Sequence, residues 1–245
     1  MFGQNATIGR RLKLQKQSWD EPNIKGNPWL EKHVLYCDFD SPATDETNDW
    51  AVNEAHGGTG AINAAAHGTY RLTTSTTDND KCELARELCW YGQYACAIAA
   101  RIKVDAITTV AINVGFSDAK AEADNLTAFR INGSTVEDTA ADAVCWVFDT
   151  DATAAYWHYC QTKAGTQTGT SIAVAPVAAT YEIFLIILNA DGDATFYRNG
   201  VRKGHVENAV TKTTALTPYV AVISRAGTAA RNLDVDYLWL WQNRT

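Results

Sequence analysis

Two neighbouring segments with strictly alternating apolar side chains constrain the fold of this chain most. In "YACAIAARIKV", residues 94–104, every second residue from Cys96 to Val104 is apolar. After a bend at residues 105–107, the segment "TTVAINVGFSD", residues 108–118, repeats this pattern at Val110, Ile112, Val114 and Phe116. A period of two places alternate side chains on opposite faces of a strand. Each segment therefore predicts a half-buried antiparallel β-strand.

Strand and turn signals recur from residue 34 to the end of the chain, at a spacing of roughly 10 to 15 residues that is typical of sandwiches and barrels. Asn199-Gly200 lies between two short strand-like segments and predicts a type I′ hairpin, because both central residues of that turn need positive φ. Residues 82–92, "CELARELCWYG", fit a helical turn at Leu84 and Leu88, but their β surroundings favour a strand. We expect roughly ten to twelve strands and no long helix.

Two later segments carry more detailed expectations. Residues 181–189, "YEIFLIILN", are apolar on both faces, which predicts a central strand covered on two sides. In the last strand, "LDVDYLWLWQ" at 233–242, simple alternation divides the side chains between two faces. One face would hold Val235, Tyr237, Trp239 and Trp241, and the other Asp236, Leu238 and Leu240.

Charge and hydropathy exclude several classes of partner. The net charge of −7 argues against nucleic acid as the main partner. The longest strongly apolar run, residues 183–188, is far shorter than the roughly 20 residues that a membrane-spanning helix needs. The first 19 residues contain no apolar core of the kind found in secretory signals, so we expect none.

The six cysteines form no CxxC pair, and the chain has only five histidines. This pattern does not favour a zinc site, and free thiols made in a reducing cytoplasm are the simpler expectation. The sequence leaves open whether Cys89 and Cys96 face each other on neighbouring strands. We expect no cofactor.

Residues 1–33 differ in character from the rest of the chain. They contain six basic and three acidic residues, a net charge of +3, whereas residues 34–245 have a net charge of −10. The segment has no sustained periodicity, so we interpret it as an irregular N-terminal arm. The arm is either a strap on its own acidic body or an anchor on another subunit. As an anchor, its contact residues would be Arg10, Arg11, Lys13, Lys16, Trp19 and Trp29, because Trp and Arg dominate interface hot spots.

Several segments resemble known jelly rolls. "YEIFLIILNADGDATFYRNGVRKG" at 181–204 resembles the hairpin pair of concanavalin A-like (laminin G-like) domains, "VAINVGFSD" at 110–118 their inner strand, and "LDVDYLWLWQNR" at 233–244 their closing strand. "GTGAINAAAHGTYRLTTSTTDND" at 58–80 is similar to segments in virion proteins of tailed bacteriophages. The resemblance implies that residues 34–245 form an all-β, concanavalin A-like jelly-roll β-sandwich of two antiparallel sheets. It implies little about function, since this fold occurs in lectins, glycosidases, adhesins and structural shells.

The acidic residues do not follow the pattern of a glycosidase. Such an enzyme needs two carboxylates flanking the sugar bond, which on a strand means acids at even spacing. Glu83 and Glu87 have that spacing without an intervening Asp, and Asp234 and Asp236 have it without a Glu. We therefore expect no enzymatic activity, with a hydrolase of degenerate motif as the third alternative.

The acidic turn Asp191-Gly192-Asp193 could in principle bind calcium, which takes six to eight oxygen ligands. Only two carboxylates are present in the turn; further ligands could come from distant loops at Asp118, Asp149 and Asp151. A plain turn already explains the sequence, since Asp bonds to its own backbone and Gly accepts positive φ. We favour the plain turn and expect no metal site.

Aromatic side chains offer a further possibility, because exposed rings can stack on sugars. The candidates are Trp50, Trp90, Trp146 and Trp157. Aromatic residues on alternating strands are more often core or interface residues.

Together these features favour a virion structural protein. We expect a capsid-decorating (cement) protein of a tailed bacteriophage, assembled in the host cytoplasm and bound on the capsid surface to the major capsid protein or other virion subunits. Such a protein would form a homo-oligomer or symmetric array, in which many weak contacts add up. The alternative is a carbohydrate-binding module of a phage tail fibre or spike, with a glycan as its partner.

Overall fold

The computed structural model describes residues 32–39, 50–54, 57–63, 68–122, 127–227 and 229–244. These ranges contain seventeen strands and one 3-10 turn, Gly92–Tyr94. The strands are β1 (Lys32–Cys37), β2 (Ala51–Asn53), β3 (Thr59–Asn63), β4 (Thr69–Thr73), β5 (Lys81–Ala85), β6 (Ala97–Val104), β7 (Val110–Ser117), β8 (Phe129–Asn132), β9 (Thr135–Asp138), β10 (Asp142–Asp149), β11 (Trp157–Lys163), β12 (Thr166–Ser171), β13 (Glu182–Leu188), β14 (Ala194–Arg198), β15 (Val201–Val206), β16 (Thr217–Ser224) and β17 (Asn232–Asn243). The expected ten to twelve strands were too few, because short strands such as β2 and β8 show too little alternation to be recognised in the sequence.

The strands form two large antiparallel sheets, which confirms the predicted jelly-roll sandwich. The eight-stranded sheet has the order β15-β14-β13-β6-β17-β4-β3, and β1 also pairs with β17. The seven-stranded sheet has the order β12-β11-β10-β7-β16-β5-β2. The β8–β9 hairpin is a separate two-stranded sheet. Among the described residues, no helix is long and apolar enough to cross a membrane.

The main core lies between the two large sheets. The alternating side chains predicted from β6 and β7 point into it, including Ile98, Ile102, Ile112 and Val114. The other face of β7, however, is also buried, whereas the sequence predicted a half-buried strand. The β8–β9 hairpin accounts for the difference, because it packs on the outer face of the seven-stranded sheet and forms a second core there.

The N-terminal edge of the described body lies in the eight-stranded sheet. Lys32 and His33, which the sequence assigned to the arm, are the first residues of β1 and pair with Asn243 and Gln242 of β17. The contact residues predicted for the arm lie outside the described residues: Arg10, Arg11, Lys13, Lys16, Trp19 and Trp29.

Both predicted turns have the expected backbone. Asn199 and Gly200, between β14 and β15, have φ values of 50° and 77°, as a type I′ turn requires. The acidic turn between β13 and β14 is arranged around Asn189, whose Oδ1 accepts bonds of 2.9 Å from the backbone N–H groups of Asp191 and Asp193. Gly192 has the predicted positive φ, 88°, but the side chain that caps the turn is that of Asn189 and not of an aspartate.

No disulfide joins any of the six cysteines, all of which lie within the described residues. Cys89 is exposed and Cys96 is buried, so these two do not form a facing pair. Cys145 and Cys160 do face each other, across β10 and β11, within the second core.

Gly115 allows the layers to approach closely in the middle of β7. A Cβ atom built there would lie 2.0 Å from the Val144 carbonyl oxygen and 2.9 Å from Ile186 Cδ1. A backbone neighbour at that distance has no room to move, unlike the end of a flexible side chain.

We therefore expect Gly115→Ala to lower the free energy of unfolding by about 3 kcal/mol or more, as overpacking in a core does. Gly227→Ala is the matched control, because its Cβ would have an ordinary contact of 3.4 Å with the Thr76 carbonyl oxygen. Chemical denaturation of both variants measures the difference. Equal stability of the two would contradict the packing described for β7.

Candidate functional site

The outer face of the seven-stranded sheet is closed by the β8–β9 hairpin. Phe129 and Ile131 of β8 pack against small and apolar residues of the sheet: Ala143, Cys145, Val147, Cys160 and Ala221. Asn113 of β7 bonds to both backbone groups of Phe129, accepting from its N–H at 2.8 Å and donating to its carbonyl at 3.0 Å. The hairpin therefore makes the middle of this face a second core.

Asp149, at the end of β10, also holds the β8–β9 hairpin against the sheet. Its carboxylate accepts a bond of 2.8 Å from the backbone N–H of Ile131 and is paired with the buried guanidinium of Arg225. These contacts occupy one of the carboxylates considered for calcium. No group of three or more potential metal ligands is found among the described residues.

A buried polar network lies beside the hairpin, with Glu83 and Glu122 at its centre. Glu83 pairs with the Lys81 ammonium at 3.0 Å and also accepts a bond from the Tyr219 hydroxyl. Glu122 accepts bonds from the hydroxyl groups of Ser117 at 2.7 Å and Thr139 at 2.8 Å. Glu83 is fully buried and Glu122 is 8% exposed. The network therefore holds two carboxyl groups out of contact with bulk solvent.

Burial raises the pKa of Glu122 above its ordinary value of 4.5. The bonds from Ser117 and Thr139 lower the pKa, and the nearby charge of Glu83 raises it further. Burial and the same glutamate raise the pKa of Tyr219 well above 10. A carboxyl group with a raised pKa can act as a general acid only if substrate can reach it. Here both carboxyl groups are buried, and the backbone of Glu122 itself lies against Lys81 and Glu83.

The four tryptophans proposed as sugar-stacking platforms are buried. Trp50 is 3% exposed, Trp157 is 1% exposed, and Trp90 and Trp146 are fully enclosed. Trp146 packs against Phe184 and Phe196 inside the sandwich. A ring that is buried on both faces cannot stack on a sugar. These residues therefore belong to the core.

A β-bulge in β17 changes which aromatic residues face outwards. The pairing of β17 with β6 shifts register between Val235 and Tyr237. The sequence prediction placed Val235 on the same face as Tyr237, and this was wrong, since the bulge inserts one extra residue and reverses the alternation beyond it. Val235, Leu238 and Leu240 are buried in the core. Trp239 is 37% exposed, and Tyr237 and Trp241 are partly exposed.

These side chains form what we call the aromatic face, the part of the outer surface of the eight-stranded sheet that contains Tyr36, Tyr237, Trp239 and Trp241. Tyr36 is 57% exposed and lies opposite Trp239 in the β1–β17 pair. The Tyr36 and Tyr237 rings are 6.0 Å apart, and the Trp239 and Trp241 rings are 5.2 Å apart. The four rings therefore occupy one continuous area.

Small and aliphatic residues extend the aromatic face across the sheet. Ala99 lies opposite Trp239 and Ala97 opposite Trp241 on β6, and on β13 the next residues in the two rows are Leu185 and Ile187. The outward residues of β13 are partly exposed, and Ile183 is 38% exposed. The sequence prediction that β13 is covered on both sides was therefore wrong. Ala97 and Ala99 are themselves buried, 0% and 7% exposed, between the aromatic side chains of β17 and the aliphatic side chains of β13.

Charged groups border the aromatic face on the side away from the Trp239–Trp241 pair. Asp234 accepts two bonds from Arg71, at 2.6 and 3.0 Å, and pairs with Lys103 at 3.0 Å. Asp236, in the bulge, pairs with Arg101 at 2.5 Å. Arg101 also lies over the ring of Tyr181, 4.0 Å from its centroid. This border holds planar donors and acceptors next to exposed rings.

Asp234 and Asp236 do not form an acid pair for catalysis. Burial alone would raise the pKa of Asp234, but the bonds from Arg71 and Lys103 outweigh it and lower the pKa below its ordinary value. A general acid needs a raised pKa, so that it is still protonated at neutral pH. Glu83 and Glu87, the other acids with suitable spacing, are in different environments: Glu83 is buried, whereas the Glu87 side chain is 68% exposed.

Comparisons with known proteins identify the fold. No family description and no curated protein matches the sequence. Among solved structures, the chain resembles a pseudo β-1,3-glucanase of Mycobacterium tuberculosis, with 9% identity, a TM-score of 0.59 and coverage of 86% of this chain and 98% of that one. It is similar to the Emp47p carbohydrate recognition domain, with 11% identity, a TM-score of 0.58 and coverage of 86% and 95%. It also resembles a Bacillus licheniformis β-glucanase, with 13% identity, a TM-score of 0.56 and coverage of 86% and 98%.

These neighbours combine a lectin domain, an enzyme and a pseudoenzyme on one jelly roll. At 9–13% identity they establish the fold alone.

The sequence contained a signal for the aromatic face that alternation alone did not reveal. The outward residues of β13, Ile183, Leu185 and Ile187, are apolar although they are not covered, which marks a contact surface. The sequence placed Trp239 correctly in a row with Tyr237 and Trp241. It also placed the core residue Val235 in that row, because the bulge between them has no sequence signature here.

The raised pKa of Glu122 leads to a pH prediction. Because the folded pKa is the higher one, the contribution of this group to stability is present below the unfolded pKa of about 4.5 and is lost as pH rises through the folded value. Glu122→Gln imitates the neutral form, so we expect it to reduce the loss of stability over that pH range. Urea denaturation from pH 4 to pH 8 measures the effect.

Glu207→Gln, at an exposed carboxyl group after β15, is the matched control and should leave the pH profile unchanged. An identical pH profile for wild type and Glu122→Gln would show that Glu122 is not held neutral by burial.

Proposed function

We propose that this protein is a non-catalytic carbohydrate-binding module and that a glycan binds to the aromatic face. The observation that carries the proposal is the placement of Tyr36 and Trp239, 57% and 37% exposed, beside Trp241 on one open sheet face. Soluble proteins rarely expose a contiguous apolar patch of this kind without using it for binding.

The shape of the aromatic face suits a sugar ring. Rings of Trp and Tyr combine an apolar surface with a polar edge, so they can cover the C–H face of a pyranose while its hydroxyl groups remain hydrated. Ala97 and Ala99 are buried between the two rows, so the exposed surface that a ligand would contact consists of the aromatic side chains themselves. The border of raised side chains, from Trp239 to Leu185, limits its lateral position.

The charged border supplies the polar contacts that a glycan requires. Arg101 and Asp236 form a partly exposed pair, and the guanidinium and carboxylate groups offer several donors and acceptors in fixed positions. Binding sites usually combine an apolar surface with a few fixed polar groups, which set ligand orientation.

The absence of catalysis is part of the proposal. Of the carboxylates considered in the described residues, Asp234 is paired with Arg71 and Lys103, and Glu83 and Glu122 are buried. A glycosidase needs its acid and its second carboxylate on opposite sides of an accessible sugar bond. These groups support binding better than hydrolysis.

Capsid decoration is the second candidate, favoured by the opposite charges of the two parts of the sequence. Residues 1–33 carry +3 and the remainder −10, so the arm complements acidic surfaces of the same kind as its own body. On the capsid surface, the arm would bind a neighbouring subunit or the major capsid protein. In this case, the aromatic face would be a protein contact instead of a glycan site.

Purified particles separate the two candidates. Decoration requires that deletion of residues 1–31 abolishes association with the capsid and that glycans have no effect on it. Unchanged association after the deletion would reject the decorating role.

For the glycan site, we expect Trp239→Ala to weaken polysaccharide binding at least about tenfold, because a central aromatic contact is lost. Tyr36→Ala should have a similar, smaller effect. Isothermal titration with a glycan chosen from an array screen measures both. Val201→Ala, at a 55% exposed residue on the far edge strand of the same sheet, is the matched control.

A glycan that binds with undiminished affinity to both Trp239→Ala and Tyr36→Ala would place its site elsewhere. If no glycan binds the wild-type protein at all, the carbohydrate-binding function is wrong.

A further inference from the structure

Cys145 and Cys160 lie directly opposite each other on β10 and β11, and both side chains point into the second core. Opposite residues of antiparallel strands have Cα atoms about 4.5 or 5.5 Å apart, and both spacings lie within the roughly 4.4–6.8 Å range of disulfides. Their Cβ atoms are typically about 4.5–5.5 Å apart, compared with roughly 3.5–4.5 Å in a disulfide. An inward movement of about 1 Å therefore gives this pair disulfide geometry.

Both thiols are protected as long as they stay covered. Each side chain is fully buried, and burial raises the pKa of both thiols. The thiolate is the nucleophile in disulfide exchange, so a thiol that stays protonated does not react. The Cys145 thiol also donates a weak bond of 3.7 Å to the carbonyl of Phe116, on the β7 side. A reaction of the pair therefore begins with opening of its cover.

The cover over Cys160 is thin at the edge of the sheet. β12 is the outermost strand there, and its residue opposite Cys160 is the exposed Gly169. A Cβ atom on Gly169 would lie 2.8 Å from Cys160 Sγ and 2.7 Å from Val136 Cγ2. Because Gly169 has no side chain, the partly buried Val136 of β9 covers the sulfur atom at this position.

Val136 belongs to the β8–β9 hairpin, which forms a two-stranded sheet of its own. At this edge, the Gln167 side chain donates a bond of 3.3 Å to the Val136 carbonyl. Elements held mainly by side-chain contacts open locally more often than the whole protein unfolds. Movement of β9 exposes Cys160 first, because Cys145 lies one strand further from the edge.

We propose that Cys160 and Cys145 form a reversible, redox-dependent disulfide by exchange with a low-molecular-weight disulfide such as oxidised glutathione. The Cys160 thiolate attacks the small disulfide and releases one small thiol, which leaves a mixed disulfide at Cys160. The Cys145 thiolate then attacks the Cys160 sulfur and releases the second small thiol. The two cysteines lose two protons and two electrons, and the small disulfide gains them. The inference is independent of the glycan site, which lies on the other sheet.

The disulfide would attach β10 to β11 and close the loop of residues 145–160. A cross-link of this kind stabilises a protein mainly by restricting its unfolded chain. We expect oxidation to raise the Tm of the protein by about 5 °C, and a dithiol reductant to reverse the change.

Incubation of the full chain with oxidised glutathione, followed by blocking of the remaining thiols and peptide mass mapping, tests this inference. All proteins carry Cys89→Ser, because Cys89 is exposed and would react separately. We expect a peptide linked through Cys145 and Cys160. Adding Cys145→Ser should leave glutathione attached to Cys160, since no second thiol displaces it. Cys96→Ser, at a buried cysteine of the main core, is the matched control and should retain the link.

The rate of linkage tests the route through the hairpin. Val136→Ala thins the cover over Cys160, so we expect linkage to become several-fold faster, as easier local opening allows. Val201→Ala, at a 55% exposed residue of the edge strand β15, should leave the rate unchanged. Equal rates in these two variants would overturn the route.

Recovery of Cys145 and Cys160 as free thiols, to the same extent as Cys96, would overturn the proposal. So would glutathione attached to Cys160 without a link to Cys145 in the protein that retains both cysteines. This second result needs no substitution in the second core, so it does not depend on the folding of Cys145→Ser.

Discussion

The contact between the β8–β9 hairpin and the outer face of the seven-stranded sheet determines the rest of this structure. Phe129 and Ile131 fill the space above the sheet, and the side chains of Asn113 and Asp149 supply the hydrogen bonds that a neighbouring strand would otherwise provide. Backbone groups buried without partners would cost several kcal/mol, so these two side chains make the covering layer possible. The middle of the sheet, at β7, β10 and β16, is consequently buried on both faces.

Enclosure of one sheet leaves the other as the surface available to a partner. The eight-stranded sheet has an outer face on which Trp239, Tyr36 and Ile183 are exposed, whereas Leu238, Leu240 and Phe184, which point towards the core, are buried. The bulge in β17 is central to this arrangement, because it turns three aromatic residues outwards while the strand continues to supply leucines to the core. The ion pairs of Asp234 and Asp236 then fix the polar border of the same surface.

The sequence was sufficient for the architecture but not for the site. Alternation in β6 and β7 and the Asn199-Gly200 turn predicted antiparallel strands and a hairpin correctly, since periodicity depends only on local geometry, and the resemblance to concanavalin A-like domains implied the sandwich. Burial of the second face of β7 depends on the distant β8–β9 hairpin, and alternation within one strand carries no information about it. The small residues Ala111 and Ser117 on that face were nevertheless a usable signal, because they allow another layer to approach. The tryptophans expected to bind sugar were assigned by residue type, and burial, which decides between core and surface, depends on tertiary packing.

The structure of the protein with a bound oligosaccharide tests the central claim most directly. The account predicts sugar density on the aromatic face, with a ring over Trp239 or Trp241 and the β8–β9 hairpin unmoved. Sugar density on the outer face of the seven-stranded sheet, with the hairpin displaced and Glu83 and Glu122 in contact with the ligand, would contradict it and restore the hydrolase alternative.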